Sequence, residues 1–329
     1  MQRKKDVTDL VKKKVDNNHI TSRGLIEKVS PNLFPLYTVL ELSAANIPKR
    51  PSIAKKESKI EGERLFCEAA ELLAKVLPDQ GDRKDTLRKW VHRESKNVLF
   101  FHVAIDKQGA VVGTSLTDYI PEMNIAFFLR VAVDKEHRGQ GIAKLLVKER
   151  IWSANQEAEK RGRKGIRYVV TEIARPAIYG NPEESHNFMR NVIRLKYHKE
   201  ASKLRAIAAP NGEIIGSKWY IFTINTIKDP DSKLIPAREA ARILHWYYLN
   251  YNGYGKTPYG KEELVRIFNQ IAWRPEISWK DFTQNKSRVI NAVPKHLSLE
   301  LKPLTEAAMA DKKVAEYLRQ QKNAGEFQA

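Results

Sequence analysis

The chain has 329 residues, of which 42% are hydrophobic and 29% are charged, and a formal net charge of +19 at pH 7. The hydrophobic and charged fractions are ordinary for a globular protein of one or two domains. The net charge is not ordinary, and it favours anionic partners such as nucleic acid, a phosphorylated cofactor or an acidic membrane face. The single cysteine excludes an internal disulfide, and neither a secretory signal nor an apolar run of membrane-spanning length is apparent, so we expect a cytoplasmic protein without membrane contact.

The first half of the chain is predicted to consist of short strands and two helices. Apolar runs bounded by turn residues indicate the strands, and apolar residues at helical spacing indicate the helices. A polar, Lys-rich arm at 1–33 precedes them. In chain order, the predicted elements are a strand at 37–43, helices at 61–78 and 83–94, and strands at 97–106, 110–120 and 123–134.

The second half begins with a helix at Ile142, whose apolar residues recur on one face up to about 160. A strand at 166–174, a capped helix from Asn181 and a hairpin over 203–224 follow. From about 229 the pattern becomes helical and rich in tyrosine, with no strong strand. We therefore divide the chain into an arm, a central α/β domain and a helical C-terminal region, at 1–33, 34–228 and 229–329.

The segment between the strand ending at Val133 and the helix beginning at Ile142 contains Arg138-Gly139-Gln140-Gly141. Glycines let the backbone turn tightly and let a ligand come close, and a helix start presents N–H groups that bind phosphate. Arg138 and Lys144 add positive charge, so we predict an anion site, most simply for a pyrophosphate. A Walker loop is excluded, and a dinucleotide fingerprint would need glycine in place of Lys144. An ordinary charged connection is the alternative.

The segment VAVDKEHRGQGIAKLLV, residues 131–147, resembles motif A of the GNAT superfamily of acetyltransferases. The family pattern is Arg or Gln, two residues, Gly, one residue, then Gly or Ala. The order of elements from 37 to about 224 also fits the family. The resemblance implies an α/β (α+β) fold with a mixed, mostly antiparallel sheet, splayed between its fourth and fifth strands and flanked by helices. The mainly helical C-terminal region lies outside the resemblance.

The resemblance further implies acetyl-CoA as cosubstrate and direct transfer of the acetyl group to a primary amine in a ternary complex, without a covalent enzyme intermediate. One set of residues would pair its backbone with the pantetheine arm, and the other would hold the pyrophosphate. No metal is expected. The implied cofactor residues are Arg130, Val131, Ala132 and Val133 for the pantetheine arm, and Arg138, Gly139, Gln140, Gly141, Ile142, Ala143 and Lys144 for the pyrophosphate.

The reaction needs a group that accepts a proton from the amine. Many relatives carry a glutamate within the fourth strand, but the matching position here is Phe127, so that base is absent. Others carry a glutamate in the fifth strand, and Glu172 matches that place. A carboxylate in so apolar a strand points to function, although a solvent-facing side chain or a salt bridge would also explain it. Glu122, at the turn into the fourth strand, is the second candidate.

The family's general acid is often a tyrosine in the helix after the fifth strand. Matching that helix places Val192 at the tyrosine position, so this part of the pattern is degenerate. Tyr179 and Tyr197 are the candidate substitutes. The degenerate pattern and the positive charge support an alternative function, a basic nucleic-acid-binding protein on a catalytically degenerate GNAT fold.

The acceptor is left open between a small molecule, a protein amino group and an RNA-borne amine. In the C-terminal region, Leu244, Tyr247, Tyr248 and Tyr251 recur at helical spacing. We interpret them as a stripe that packs on the central domain, with base stacking or a substrate lid as the alternatives.

Overall fold

The protein, described here as a computed structural model, divides into two compact units, Met1–Ile166 and Arg167–Ala329. The predicted class is confirmed: α/β (α+β), with β-strands flanked by helices. No helix among the described residues is long and apolar enough to cross a membrane. The structure describes residues 37–45, 47–49, 57–77, 84–174, 205–207, 220–227, 233–247, 249 and 278–303.

The strands of the first unit are antiparallel, and each pairs with the next one along the chain. β2 and β3 are buried on both faces over most of their length, which explains their runs of apolar and small polar residues. All four predicted strands are confirmed to within two residues at each end. They are β1 (Thr38–Leu42), β2 (Val98–Ile105), β3 (Val111–Ile120) and β4 (Ile125–Val133).

Helices cover both faces of these strands. Phe66 packs in a core with Phe101 on one face, whereas Ile142 and Leu146 pack with Ala104 on the other. Neighbouring residues of a strand point to opposite faces, so the two cores lie on opposite sides. The three predicted helices are confirmed, with ends shifted by up to four residues. They are α1 (Glu57–Val76), α2 (Lys84–Val91) and α3 (Ile142–Lys160).

The second unit contains five described strands in the order β5-β7-β6-β9-β8. The predicted strand at 166–174 and the two arms of the predicted hairpin are confirmed, and the paired strands are antiparallel. The hairpin turn and the helix predicted from Asn181 lie outside the described residues. The strands are β5 (Tyr168–Ala174), β6 (Arg205–Ile207), β7 (Tyr220–Thr226), β8 (Leu234–Pro236) and β9 (Ser298–Pro303).

The prediction of no strong strand beyond 229 is wrong, because β8 and β9 lie there. β9 pairs with β6 and with β8, partners far away in sequence. Leu299 and Leu301 are buried, with the exposed Glu300 between them, which is the alternation of a half-buried strand. The described residues of this region also form three helices, in line with the predicted helical pattern: α4 (Ala237–Trp246), α5 (Trp279–Gln284) and α6 (Lys286–Ala292).

Candidate active site

The predicted anion loop joins β4 to α3 and is built from several local contacts. Asp134 begins it by accepting a hydrogen bond from the backbone N–H of Glu136 at 3.0 Å, which caps a single turn of 3-10 helix. Lys75, at the end of α1, lies 2.9 Å from the same carboxylate and lowers the pKa of Asp134. The loop is therefore tied to the α1 side of its own unit before the glycines begin.

Both glycines of the motif adopt the left-handed conformation that other residues avoid. Gly139 has φ of 80°, and Gly141, the N-terminal cap of α3, has φ of 84°. An added Cβ at Gly139 would meet nothing within 4 Å, so the loop has open space beside it. The first hydrogen bond of α3 runs from Leu145 N–H to Gly141 C=O at 3.0 Å. The N–H groups of Ile142 and Ala143 lie ahead of it, as an anion site at a helix start requires.

Side-chain contacts define the loop's shape. Arg138 Nε donates to Val133 C=O at 3.2 Å, and Gln140 Nε2 donates to Glu136 C=O at 3.3 Å. Arg138 and Gln140 are exposed, whereas Ile142 is 2% exposed and anchors the helix start in the core.

Tyr37, just before β1, is a loop contact that sequence reasoning missed. Its hydroxyl donates to Gln140 Oε1 and lies 3.3 Å from His137 Nδ1, while its ring is buried in the core under α3. About 100 residues separate Tyr37 from the loop, and no local pattern marks it. Only the folded chain brings the two together.

Gly113 is a second missed residue. A Cβ built there would lie 2.7 Å from Ile142 Cγ2 and 3.3 Å from Leu146 Cδ1. Real Cβ atoms do not approach so closely, so glycine lets the N-terminal turn of α3 lie directly on β3. A lone glycine inside a strand is the signal that could have found it.

The backbone predicted to hold the pantetheine arm, Arg130 to Val133, pairs with Leu116 to Gly113 of β3. The register shifts just before Arg130, since Leu116 faces Arg130 but Thr117 faces Phe128. Leu129 is the extra residue of this bulge, which changes the direction of β4 at the start of the predicted segment.

Arg150 of α3 lies against this bulge and is completely buried. Its guanidinium donates to Thr117 Oγ1 at 2.5 Å and to Leu116 C=O at 2.6 Å, and it lies 3.8 Å from the centre of the Phe128 ring. These contacts fix the bulge to the same helix whose first turn forms the anion loop.

Of the predicted bases, Glu172 lies in β5, opposite Phe222 of β7. Its side chain is half-buried, and its Oε1 accepts a hydrogen bond from Tyr247 Oη. Tyr247 follows α4 directly and is only 1% exposed. The packing predicted for Leu244 and Tyr247 is consistent with their burial, whereas Tyr248 and Tyr251 lie outside the described residues.

Glu122 is exposed in the turn before β4. The nine residues of β4 separate it from the anion loop, a span of about 30 Å. The structure therefore places Glu122 and the loop at opposite ends of one strand. Tyr179, Tyr197 and Val192 lie outside the described residues.

Phe127 is buried and faces Asp118 of β3. Asp118 is 1% exposed and pairs with Arg93, while burial raises the pKa of the Asp118 carboxyl. No group of three or more His, Cys, Asp or Glu side chains in the described part of the chain is arranged to hold a metal ion.

A family model described as an acetyltransferase (GNAT) domain matches residues 97–181. Residues 97–181 therefore form a GNAT acetyltransferase domain. The match includes the anion loop, Glu122 and Glu172 but ends before Tyr247. The curated proteins contain no significant match to the chain.

Several solved structures are similar to the chain. A GNAT-family N-acetyltransferase from Escherichia coli, in complex with CoA, is 24% identical, with 44% of this chain and 66% of that chain covered and a TM-score of 0.28. A GNAT-family acetyltransferase from Staphylococcus aureus is 15% identical, with 58% and 99% covered and a TM-score of 0.35. An IAA acetyltransferase from Bacillus cereus is 14% identical, with 58% and 99% covered and a TM-score of 0.31.

Proposed function

We propose that the GNAT domain transfers an acetyl group from acetyl-CoA to a primary amine by direct attack within a ternary complex. The observation that carries the proposal is the start of α3, where Gly139 and Gly141 both adopt positive φ and Gly139 has open space beside it. Two consecutive phosphates need such a concave, side-chain-free stretch of backbone N–H groups. The exposed Arg138 adds a positive charge at its entrance.

Acetyl-CoA supplies an activated acetyl group as a thioester. The proposed roles of the chain are to hold the pyrophosphate at 138–144 and to pair the pantetheine arm with the backbone of 130–133. The register shift before Arg130 supports the second role, because a bulge changes which backbone groups point outward. The splay between the fourth and fifth strands, in which the thioester would lie, stays a prediction.

A lysine-like amine is protonated at neutral pH and must lose a proton before its nitrogen attacks the thioester carbonyl. We propose Glu172 as the group that accepts this proton. As the carbon–nitrogen bond forms, the carbon–sulfur bond breaks and CoA leaves as a thiolate that takes up a proton. Tyr179 is our candidate donor for that proton. The second candidate base, Glu122, is disfavoured by its place at the far end of β4.

The first test is calorimetric titration of the full chain with acetyl-CoA and with free CoA. Mass spectrometry then follows acetylation of three probes: spermidine, a lysine-containing peptide and a short aminoacylated RNA. We expect the titrations to show binding and at least one probe to gain an acetyl group. Binding without acetylation of any primary amine would contradict the proposed reaction.

The second test is Glu172→Gln, with Glu300→Gln as its control. Glu300 is an exposed strand glutamate of the same unit. Loss of a general base lowers turnover by about 100-fold or more. We expect that loss only in Glu172→Gln, with the dissociation constant of acetyl-CoA unchanged in both variants. Equal turnover of the two variants at every pH would remove Glu172 as the base.

The alternative, nucleic-acid binding on a degenerate GNAT fold, gains no support from these comparisons. It predicts an affinity for RNA or DNA that falls steeply as salt increases. The cytoplasmic location also stays a prediction.

A further inference from the structure

We propose that Tyr247, which lies outside the matched domain, is a positioning residue for Glu172: it orients the carboxylate and favours its ionised form. The inference deepens the proposed function and rests on it, because it gives the C-terminal region a role at the proposed base. The hydrogen bond from Tyr247 Oη to Glu172 Oε1 is the juxtaposition that carries it.

The two partners suit one another chemically. Tyr247 is 1% exposed, and a buried phenol hydroxyl needs an acceptor because water cannot serve it. Glu172 offers a carboxylate oxygen, and hydrogen bonds to an ionised acceptor are stronger and shorter than those between neutral groups. A bond from a rigid aromatic donor also restricts rotation of the carboxylate.

A second contact joins α4 to β5 near the other end of the strand. Tyr168 Oη donates to Glu239 Oε2, and Arg167 Nη1 lies 2.6 Å from Glu239 Oε1. Burial, followed by this hydrogen bond, raises the pKa of Tyr168. Arg167, Tyr168 and Glu239 form this second contact, and the other ionisable residues of α4 are Arg238, Arg242 and His245.

The spacing of the two contacts agrees with the geometry of the elements. Tyr168 and Glu172 are four residues apart on one face of a strand, which is about 13 Å. Glu239 and Tyr247 are eight residues apart, and Tyr247 keeps helical dihedrals of −57° and −52°, so their separation along the axis is about 12 Å. The helix and the strand therefore run in the same direction with both contacts in register.

The helix that Tyr247 directly follows, α4, is itself well anchored. Ala240, Ala241 and Leu244 of α4 are completely buried, and His245 Nε2 lies 2.7 Å from Phe282 C=O of α5. A donor on an anchored helix holds its acceptor in one orientation better than a donor on an exposed loop. Tyr247 is thus suited to positioning rather than to general packing alone.

The test compares Tyr247→Phe with Tyr168→Phe. Each variant deletes one tyrosine hydroxyl that donates a hydrogen bond to a glutamate. Only the hydroxyl of Tyr247 donates to Glu172. The titration of Glu172 is followed by carbon-13 NMR of carboxyl-labelled glutamate, and the Glu172→Gln variant assigns the signal. Calorimetry with acetyl-CoA and thermal unfolding are measured for every variant.

We expect the titration midpoint of Glu172 to rise by about one pH unit in Tyr247→Phe, since the ionised form loses a hydrogen bond, and to stay unchanged in Tyr168→Phe. With whichever amine probe is acetylated, the acidic limb of the pH–rate profile should move by the same amount. Equal behaviour of the two variants would reduce Tyr247 to a structural contact and overturn the inference.

Two further arms separate the possible failures. If Glu172→Gln keeps full turnover while Tyr247→Phe still moves the midpoint, the proposed base is wrong and no catalytic positioning remains. If Glu172→Gln is inactive but Tyr247→Phe changes neither the titration midpoint of Glu172 nor the acidic limb of the pH–rate profile, the positioning role of Tyr247 is wrong and the proposed function stands. If Tyr247→Phe does not fold, 3-fluorotyrosine at position 247 replaces it, because this residue keeps the shape of tyrosine and its hydroxyl is a stronger hydrogen-bond donor. The titration midpoint of Glu172 must then fall. An unchanged midpoint would again overturn the inference.

Discussion

Replacement of Gly139 by glutamate should abolish tight binding of acetyl-CoA, whereas the same replacement of Gly162 should not. Gly139 lies in the anion loop, and Gly162 follows the other end of the same helix, α3. Their φ angles are 80° and 73°, and an added Cβ meets nothing within 4 Å at either position. The two variants thus share the same backbone strain and differ in their distance from the proposed pyrophosphate.

The expected magnitudes follow from these facts. A side chain in the left-handed region costs about 1–2 kcal/mol of folding free energy, and this cost should be similar in both variants. A carboxylate about 4 Å from each of two phosphate charges costs about 2–4 kcal/mol when the exposed loop has an effective dielectric constant of about 40–80. That corresponds to a roughly 30- to 1,000-fold increase in the dissociation constant of acetyl-CoA for Gly139→Glu alone.

The assay is calorimetric titration with acetyl-CoA, with urea unfolding as a check on the fold. Gly139→Gln is the neutral companion: it keeps the size and the strain but removes the charge. The ratio of the acetyl-CoA dissociation constants of Gly139→Glu and Gly139→Gln should decrease as the salt concentration rises from about 0.05 M to about 0.5 M, because salt screens exposed charges. Similar affinity of Gly139→Glu and Gly162→Glu would refute the assignment of the pyrophosphate to this loop.

Two other predictions concern the first unit. Tyr37→Phe removes the hydroxyl that holds Gln140 but keeps the buried ring, so we expect the dissociation constant of acetyl-CoA to rise about 2- to 10-fold with turnover unchanged, measured by calorimetry and steady-state kinetics. Burial, and secondarily the charge of Glu41, raises the pKa of Glu149 to about 7; the folded state then binds more protons than the unfolded one between about pH 4.5 and 7, so stability falls as pH rises through that window. In urea unfolding, the wild-type chain should lose about 2–3 kcal/mol of unfolding free energy over that pH window, and Glu149→Gln should remove this loss. Glu159, which is exposed near the end of the same helix, is the control, and Glu159→Gln should keep the loss.

Outcomes that would contradict these two predictions are equally specific. An unchanged affinity of Tyr37→Phe would mean that the Asp134 cap and its Lys75 partner hold the loop by themselves. Parallel pH profiles of the Glu149→Gln variant and the wild-type chain would mean that another group produces the slope.

Much of the fold of the first unit could be predicted because its signals are local. The apolar runs of β2 to β4 and the periodic face of α3 each lie within one segment, and consecutive strands pair with one another. The two glycines could be singled out for the same reason, since a left-handed turn before a helix requires glycine at those positions. Pairing with sequence neighbours needs no information from elsewhere in the chain.

The second unit was predicted less completely. β9 and β8 were missed because their pairing partners are distant in sequence, and a three-residue strand such as β8 has almost no periodicity of its own. β-strand formation depends on cross-strand neighbours more than on intrinsic preference, so short strands cannot be recognised until those neighbours are known.

By itself, the amino-acid sequence indicated the class of the fold, through the order of its elements and the resemblance of residues 131–147 to motif A. It also indicated the predicted anion loop and the candidacy of Glu172, because each of these depends on residue types within one short segment. Only the tertiary structure brought Tyr37 to Gln140, Gly113 under Ile142, and Tyr247 to Glu172. These contacts join residues about 30 to 100 positions apart, and their partners are set by the packing of helices on strands. A hydrogen bond between distant segments leaves no periodic pattern in either segment, so it appears only when the chain is folded.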